Sequence, residues 1–136
     1  MNPLKTVAHH ARVLGSKLRE ARKESARSSH WASVRDHHLA EHPRCAACGG
    51  GKHVQVHHKK PFHEFPELEL EPTNLISLCM GDPECHLRLG HGGDYKFYNP
   101  KVEQDAAEFV LTPANRAVIV ARAKTARLAN DGPTKA

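Results

Sequence analysis

Apolar positions along the chain recur at two periods, one helical and one strand-like. Over residues 6–26, Val13, Leu14, Leu18 and Ala21 fall near helical spacing, with Arg12, Lys17, Arg19, Arg22 and Lys23 between them. That pattern predicts a basic amphipathic helix, weakened locally at Gly15. Trp31, Val34, His38 and Leu39 share one face of a second predicted helix, from about His30 to Glu41. Ser28 or Ser29 can cap it, and Pro43 ends it. Trp31 is expected to pack on the core, and His37, His38 and His42 to sit at the surface or its boundary. Val54–His58 reads as a strand, and Pro61 keeps the chain extended after it. Asn74–Leu78 reads as a second strand. Asp82 then supplies an N-cap and Pro83 a first helical position for a short helix that stops at Gly90.

The connection over residues 59–73 carries Pro61, Pro66 and Pro72 and is acidic through Glu64, Glu67, Glu69 and Glu71. Phe62, Phe65 and Leu68 are expected to tuck back and order it. A loop this long inside a compact module points to function. Tyr95, Phe97 and Tyr98 form an aromatic patch. A short helix is predicted from Val102 to Phe109. A last helix is predicted with Thr112 as cap and Pro113 first, Val118, Ile119 and Val120 at its centre, and Asn130–Pro133 as its stop.

A chain of 136 residues supports one domain with a modest core. We expect a single domain over 1–136: a basic helical arm (1–44), a core (45–100) and a helical C-terminal extension (101–136). No apolar run is long enough to cross a membrane, and residues 1–14 lack the apolar core of a secretory signal. The formal net charge is +5, but its distribution is more informative. Lys and Arg outnumber Asp and Glu by nine to four in residues 1–44 and by six to four in residues 101–136. In residues 45–100 they are outnumbered, five to seven. Basic flanks are the electrostatic footprint of a protein that grips phosphates. Arg19, Arg22 and Lys23 are the candidates in the arm, although most single surface cations merely solvate a helix.

All four cysteines lie between residues 45 and 85, as Cys45-x-x-Cys48 and Cys79-x5-Cys85. Two pairs of thiolates can complete a tetrahedral Zn2+ shell. Four free thiols or two disulfides are the other states. Paired spacing in a small chain of this kind favours a structural zinc and a reducing cytoplasm.

Between the pairs stand His57-His58 and Asn74, and His86 follows Cys85 directly. Val56-His57-His58-x-x-Pro61, Asn74-Leu75-Ile76-x-Leu78-Cys79 and Cys85-His86 together resemble the HNH nuclease family over about Trp31 to Pro100. The likeness is to the four-cysteine zinc branch found in bacterial and phage genomes. The resemblance implies an α+β fold: a ββα-metal (His-Me finger) core stapled by a four-cysteine zinc knot and flanked by N- and C-terminal helices. It implies His58 as the general base, His57 and His86 as ligands of a catalytic ion, and Asn74 as the residue that steadies the base-positioning loop. His91 is a further candidate ligand, although a spacing of five from His86 does not fit one regular helical face. Many relatives carry Asp at the place of His57, so the catalytic ion is left open among Mg2+, Mn2+ and other transition metals.

The residues suit that chemistry. A neutral imidazole with a pKa of about 6.5 can take a proton from water near working pH, whereas a lysine such as Lys59 is normally charged. Lys59, Lys60, Arg88 and Lys96 are candidate phosphate contacts. DNA is the implied partner, in a bacterial host cell or encoded by its phage. The alternative reading is a zinc-knot module that holds nucleic acid without cutting it, or an accessory of a phage terminase and packaging machine. Oligomeric state is not legible.

Overall fold

The computed structural model describes residues 26–130. The basic helix expected over residues 6–26, with Arg19, Arg22 and Lys23, therefore lies outside the described residues except for its last position. The described chain is a mixed α+β structure. Helix α1 spans Trp31–Glu41, strand β1 Val54–His58 and strand β2 Leu75–Cys79. A five-residue π turn spans His86–Gly90, helix α2 Val102–Leu111 and helix α3 Arg116–Asn130.

The two strands form one antiparallel ribbon, with Val54 opposite Cys79 and His58 opposite Leu75. Successive side chains of a strand alternate faces, so His57 and His58 leave β1 on opposite sides. β2 is buried along its whole length. One core cluster joins Ile76 and Leu78 of β2, Leu89 of the π turn, Val102, Ala106 and Phe109 of α2 and Ile119 of α3, together with Cys45, Cys79 and Cys85. The sulfur knot is thus part of the core.

Several sequence expectations shift by a turn. Trp31 opens α1, but neither serine caps it through a helix N-terminal N–H of the usual kind. Instead the Trp31 N–H bonds the Ser28 carbonyl, at 3.1 Å, and the Ser28 hydroxyl accepts from His30, at 3.1 Å. Pro83 does not open the short helix expected to stop at Gly90. Glu84 takes a left-handed backbone (φ 58°), and its N–H closes a turn onto Gly81 O at 2.6 Å. That reversal folds Cys85 back beside Cys79, and the helical turn starts at His86. Thr112 does not cap α3 either: its hydroxyl donates back to Glu108 O at 2.6 Å, and a 3-10 turn over Pro113–Asn115 precedes the helix. Ile119 is buried as expected, but Val118 is exposed.

Two buried polar residues fasten the C-terminal helices to the π turn. Asn99 donates from Nδ2 to Leu89 O (2.9 Å) and to Asp105 Oδ2 (2.7 Å). Asp105 in turn pairs with Arg122 on α3. A buried carboxylate costs free energy unless paired in this way. No helix of the described residues is long and apolar enough to cross a membrane.

Candidate metal centres and active site

The first cluster is sulfur. The Sγ atoms of Cys45, Cys48, Cys79 and Cys85 lie within 4.8 Å of one another. Cys45–Cys48 is a tight knuckle. The Gly49 N–H bonds Cys45 O at 2.9 Å, and the Cys45 N–H bonds Gly50 O at 2.7 Å. Gly49 sits at φ 76°, where a side chain would be strained. The N–H groups of Cys48 and Gly50 point at the sulfurs of Cys45 and Cys48, at 3.5 and 3.4 Å. The Ala46 N–H pins the knuckle to Ser77 O of β2 at 2.8 Å. The Cys85 thiol donates to Cys45 and, with the backbone N–H of Cys48, brings the Cys45 pKa down to about 4. The same contact pushes that of Cys85 up.

The chemistry and spacing fit a metal. Zn–S bonds of about 2.3 Å at tetrahedral angles separate sulfurs by about 3.8 Å, and Cys48 and Cys79 sulfurs stand 3.7 Å apart.

The second cluster is imidazole: His57 from β1, His86 from the π turn and His91 just after it. His86 Nε2 lies 3.0 Å from His57 Nδ1 and 3.3 Å from His91 Nε2. The outer nitrogens decide the tautomers. A carbonyl can only accept, so His91 Nδ1 donates to Phe97 O at 2.6 Å. A thioether is a weak acceptor, so His86 Nδ1 donates to Met80 Sδ at 2.9 Å. Both bonds leave the inner Nε2 atoms with lone pairs that face each other. Burial, followed by the neighbouring imidazoles, holds His57 well below the ordinary histidine pKa. Burial and His91 bring His86 down to about 4. Burial lowers His91 as well, partly offset by the Phe97 carbonyl. The lone pairs of His86 and His91 repel unless a proton or a cation sits between them, and His57 Nδ1 completes the same ring of nitrogens. Tetrahedral Zn–N bonds of about 2.0–2.1 Å would separate such nitrogens by about 3.3 Å, close to what is observed. This group also fits a metal.

The spacing of five that argued against His91 is explained by the π turn. Its wider winding brings positions five apart toward one side, and such turns cluster at functional sites. Gly90 has a role other than a helix stop. A Cβ there would stand 3.1–3.3 Å from Cε1, Nδ1 and Nε2 of the His57 ring, so only glycine lets the ring reach the cluster unhindered. Gly90→Ala is expected to weaken metal binding at the three histidines by about tenfold, as loss of ligand support typically does, with the fold retained. Titration with Co2+, read by its absorption bands, checks this. Unchanged affinity would show that the ring has room to move.

His58 lies on the other face of β1. Its Nε2 donates to Glu69 O at 3.0 Å, which leaves Nδ1 as the lone-pair nitrogen. Its ring packs on Trp31 with centroids 4.5 Å apart. Trp31 is therefore half-buried against His58 and not in the apolar core. Arg27 lies over both Trp31 and Phe62, 5.0 Å from each ring centre. Burial lowers the His58 pKa; the Glu69 carbonyl pulls it partly back up. Glu69, only one of four acids in the loop by sequence, is buried. Its carboxylate accepts the Ser28 N–H at 3.2 Å and faces Arg27 at 3.7 Å. No periodicity or spacing marks it out.

Asn74 is buried at the other end of the loop. Oδ1 accepts the Lys60 N–H at 2.9 Å, and Nδ2 donates to Lys60 O at 3.0 Å and Leu68 O at 3.2 Å. One side chain thus ties the loop's two ends together.

The remaining candidates are dispersed. Lys59 is engaged by Glu103 at 2.9 Å. Lys60 lies over Phe65 at 5.4 Å. Arg88 and Lys96 are exposed. Tyr95 does not cover the sulfur knot; it packs on His91 and His86, with centroids 5.0 and 5.9 Å apart. Tyr98 borders Lys59 and Lys60 instead. His38 is buried, and among the described residues neither its Nε2 nor that of His57 has a hydrogen-bond partner.

Both clusters, both strands, the intervening loop and the π turn fall within one stretch. Residues 44–92 match the HNH endonuclease family. The HNH segment begins one residue before the knot and ends one residue past His91. No curated protein and no solved structure matches the chain. A two-stranded ribbon and helical turn, with four clustered cysteines, are consistent with the ββα-metal core of HNH proteins. The family is one of metal-dependent nucleases that act on DNA, so the HNH segment supports a nuclease-type activity.

Proposed function

We propose that this protein is a metal-dependent endonuclease that hydrolyses DNA phosphodiester bonds, with His58 as general base. The observation that carries the reading is the lone-pair Nδ1 of His58, set by the Nε2–Glu69 carbonyl bond, on the strand that also supplies His57 of the three-histidine cluster, in a stretch that matches the HNH endonuclease family. His58 Nδ1 takes a proton from water. The water oxygen forms a bond to phosphorus as the P–O3′ bond breaks, leaving a 5′-phosphate and a 3′ oxygen that takes a proton from solvent water to become the 3′-hydroxyl. Asn74 and Glu69 act on this step only through the loop, by holding the carbonyl that orients His58. His57, His86 and His91 would hold the catalytic ion, and Cys45, Cys48, Cys79 and Cys85 a structural zinc. When bound, the catalytic ion would supply charge stabilisation during cleavage. Three imidazoles and no carboxylate suit a transition metal better than Mg2+.

A module that only held nucleic acid would need the sulfur knot but not a second ion site or an oriented imidazole. Supercoiled plasmid offered with Mn2+, Ni2+, Zn2+ or Mg2+ separates the readings. Nicked or linear product with a transition ion, suppressed by a chelator, is expected. Intact plasmid with every ion would leave the binding module as the better account.

A further inference from the structure

A cleft of about 270 Å³ opens where the end of the HNH segment meets α3, lined by Arg88, Gly92, Gly93, Val120, Lys124 and Arg127. Three of these side chains are cations and none is an acid. Arg88 stands on the π turn, two residues after His86. Its carboxylate neighbour Glu84 is 3.9 Å away and both are about half exposed, a contact worth little. Lys124 and Arg127 are three residues apart on α3 and so share a face. The Arg127 Nε–H donates to Gly92 O at 2.8 Å, which anchors that guanidinium at the cleft.

The floor is backbone. Gly92 and Gly93 follow His91 at φ 57° and 93°. A Cβ on Gly92 would stand 2.8 Å from Ala123 O, so no side chain fits between this loop and α3. Buried Ile119 and Ala123 and the Arg122–Asp105 pair hold the helix there. The result is a concave site with positive side chains on both walls, a shape that concentrates field on an anion.

We propose that this cleft is a phosphate subsite for the DNA backbone. It takes a phosphate flanking the one at the three histidines, and it makes α3, which lies outside the HNH segment, part of the DNA-binding surface. The inference rests on the DNA reading above for its ligand. Guanidinium groups match phosphate oxygens in shape and number of donors. Gly92 adjoins His91 in the chain, so the cleft borders the loop that carries the third histidine.

The test uses the full chain without added divalent ion, so that binding is read without cutting. The probe is a fluorescent duplex of about 20 base pairs and arbitrary sequence, titrated by anisotropy across about 50 to 200 mM salt. The variants are Arg88→Ala with Lys124→Ala, and Lys124→Glu alone at an exposed position that does not disturb packing. The control, Arg35→Ala with Lys52→Ala, removes the same charge elsewhere. The cleft double is expected to lose about tenfold in affinity and to flatten the salt slope by about one or more, with the control near wild type. Equal loss in both doubles would mean that only net charge matters, and would overturn the subsite. So would unchanged affinity in the cleft variants, the result expected if the cleft served an acidic protein. A selective loss in a protein that cuts no plasmid would keep the subsite and remove the nuclease reading.

Discussion

Replacing His58 with alanine is expected to lower cleavage by about 10^2- to 10^4-fold, the usual worth of a general base, with fold, knot metal and DNA affinity close to wild type. The side chain makes one hydrogen bond to a backbone carbonyl, worth about 0.5–1.5 kcal/mol net, so its loss is felt in the chemistry far more than in stability. His86→Ala is expected to abolish cleavage by another route, through loss of an ion ligand. Raising the metal concentration should restore part of that activity and none of the activity lost with His58. Single-turnover cleavage of duplex DNA across a metal series separates the two. A His58→Ala protein that cuts at the wild-type rate would remove His58 from the mechanism.

The pH dependence follows from the same side chain. In its proposed role as base His58 works in the neutral form, and burial lowers its pKa from the ordinary value of 6.5. Protonation therefore sets in below that value, so the rate should be level above about 6.5 and fall on the acid side. Stability has the same sign. His57, His86 and His91 have depressed folded pKa values, so the unfolded chain binds more protons below about 6.5. Their stabilising contribution is complete above that pH and is lost as pH falls.

Cys79→Ala is expected to abolish cooperative folding of the HNH segment, not merely to weaken it. Structural zinc binding in small domains is worth about 10–16 kcal/mol, as much as the whole net stability of a typical domain, about 5–15 kcal/mol. The knot has no substitute here. Cys45, Cys79 and Cys85 are members of the core cluster itself, and Cys79 ends β2, opposite Val54 of β1. Three thiols around a vacated position would leave the knuckle, the ribbon and the start of the π turn without a common tie. Elemental analysis of the wild type and thermal melts monitored by circular dichroism, with and without chelator, check this. A reduced, folded wild-type protein that carries no metal and melts at the same temperature in chelator would refute the structural role.

Local pattern was enough for the ribbon, because Val54–His58 begins by alternating β-branched and polar residues and Leu75–Cys79 is a short apolar run, each flanked by turn formers, and strand pairing between neighbours needs little else. It was also enough to group the sulfurs, since two close pairs of cysteines have few ways to satisfy themselves. The tandem histidines, Asn74 and Cys85-His86 stand out because their residue types and order are informative before any folding. Other features depend on where distant segments meet. Glu69 reads as one solvated acid among four, and only packing buries it and turns its carbonyl to His58. Gly90 reads as a helix stop, yet what requires glycine is the His57 ring arriving from β1. His91 fails a regular helical register and joins the cluster because the turn before it is wound as π, with its outer nitrogen held by Phe97 O. Arg88, Lys124 and Arg127 share one cleft only because α3 docks on Gly92. Residue type and short-range spacing determined the elements and the donors of this protein. Tertiary structure decided which donors meet and which lone pairs stay free, because those depend on contacts between segments far apart in the chain, to which periodicity is blind.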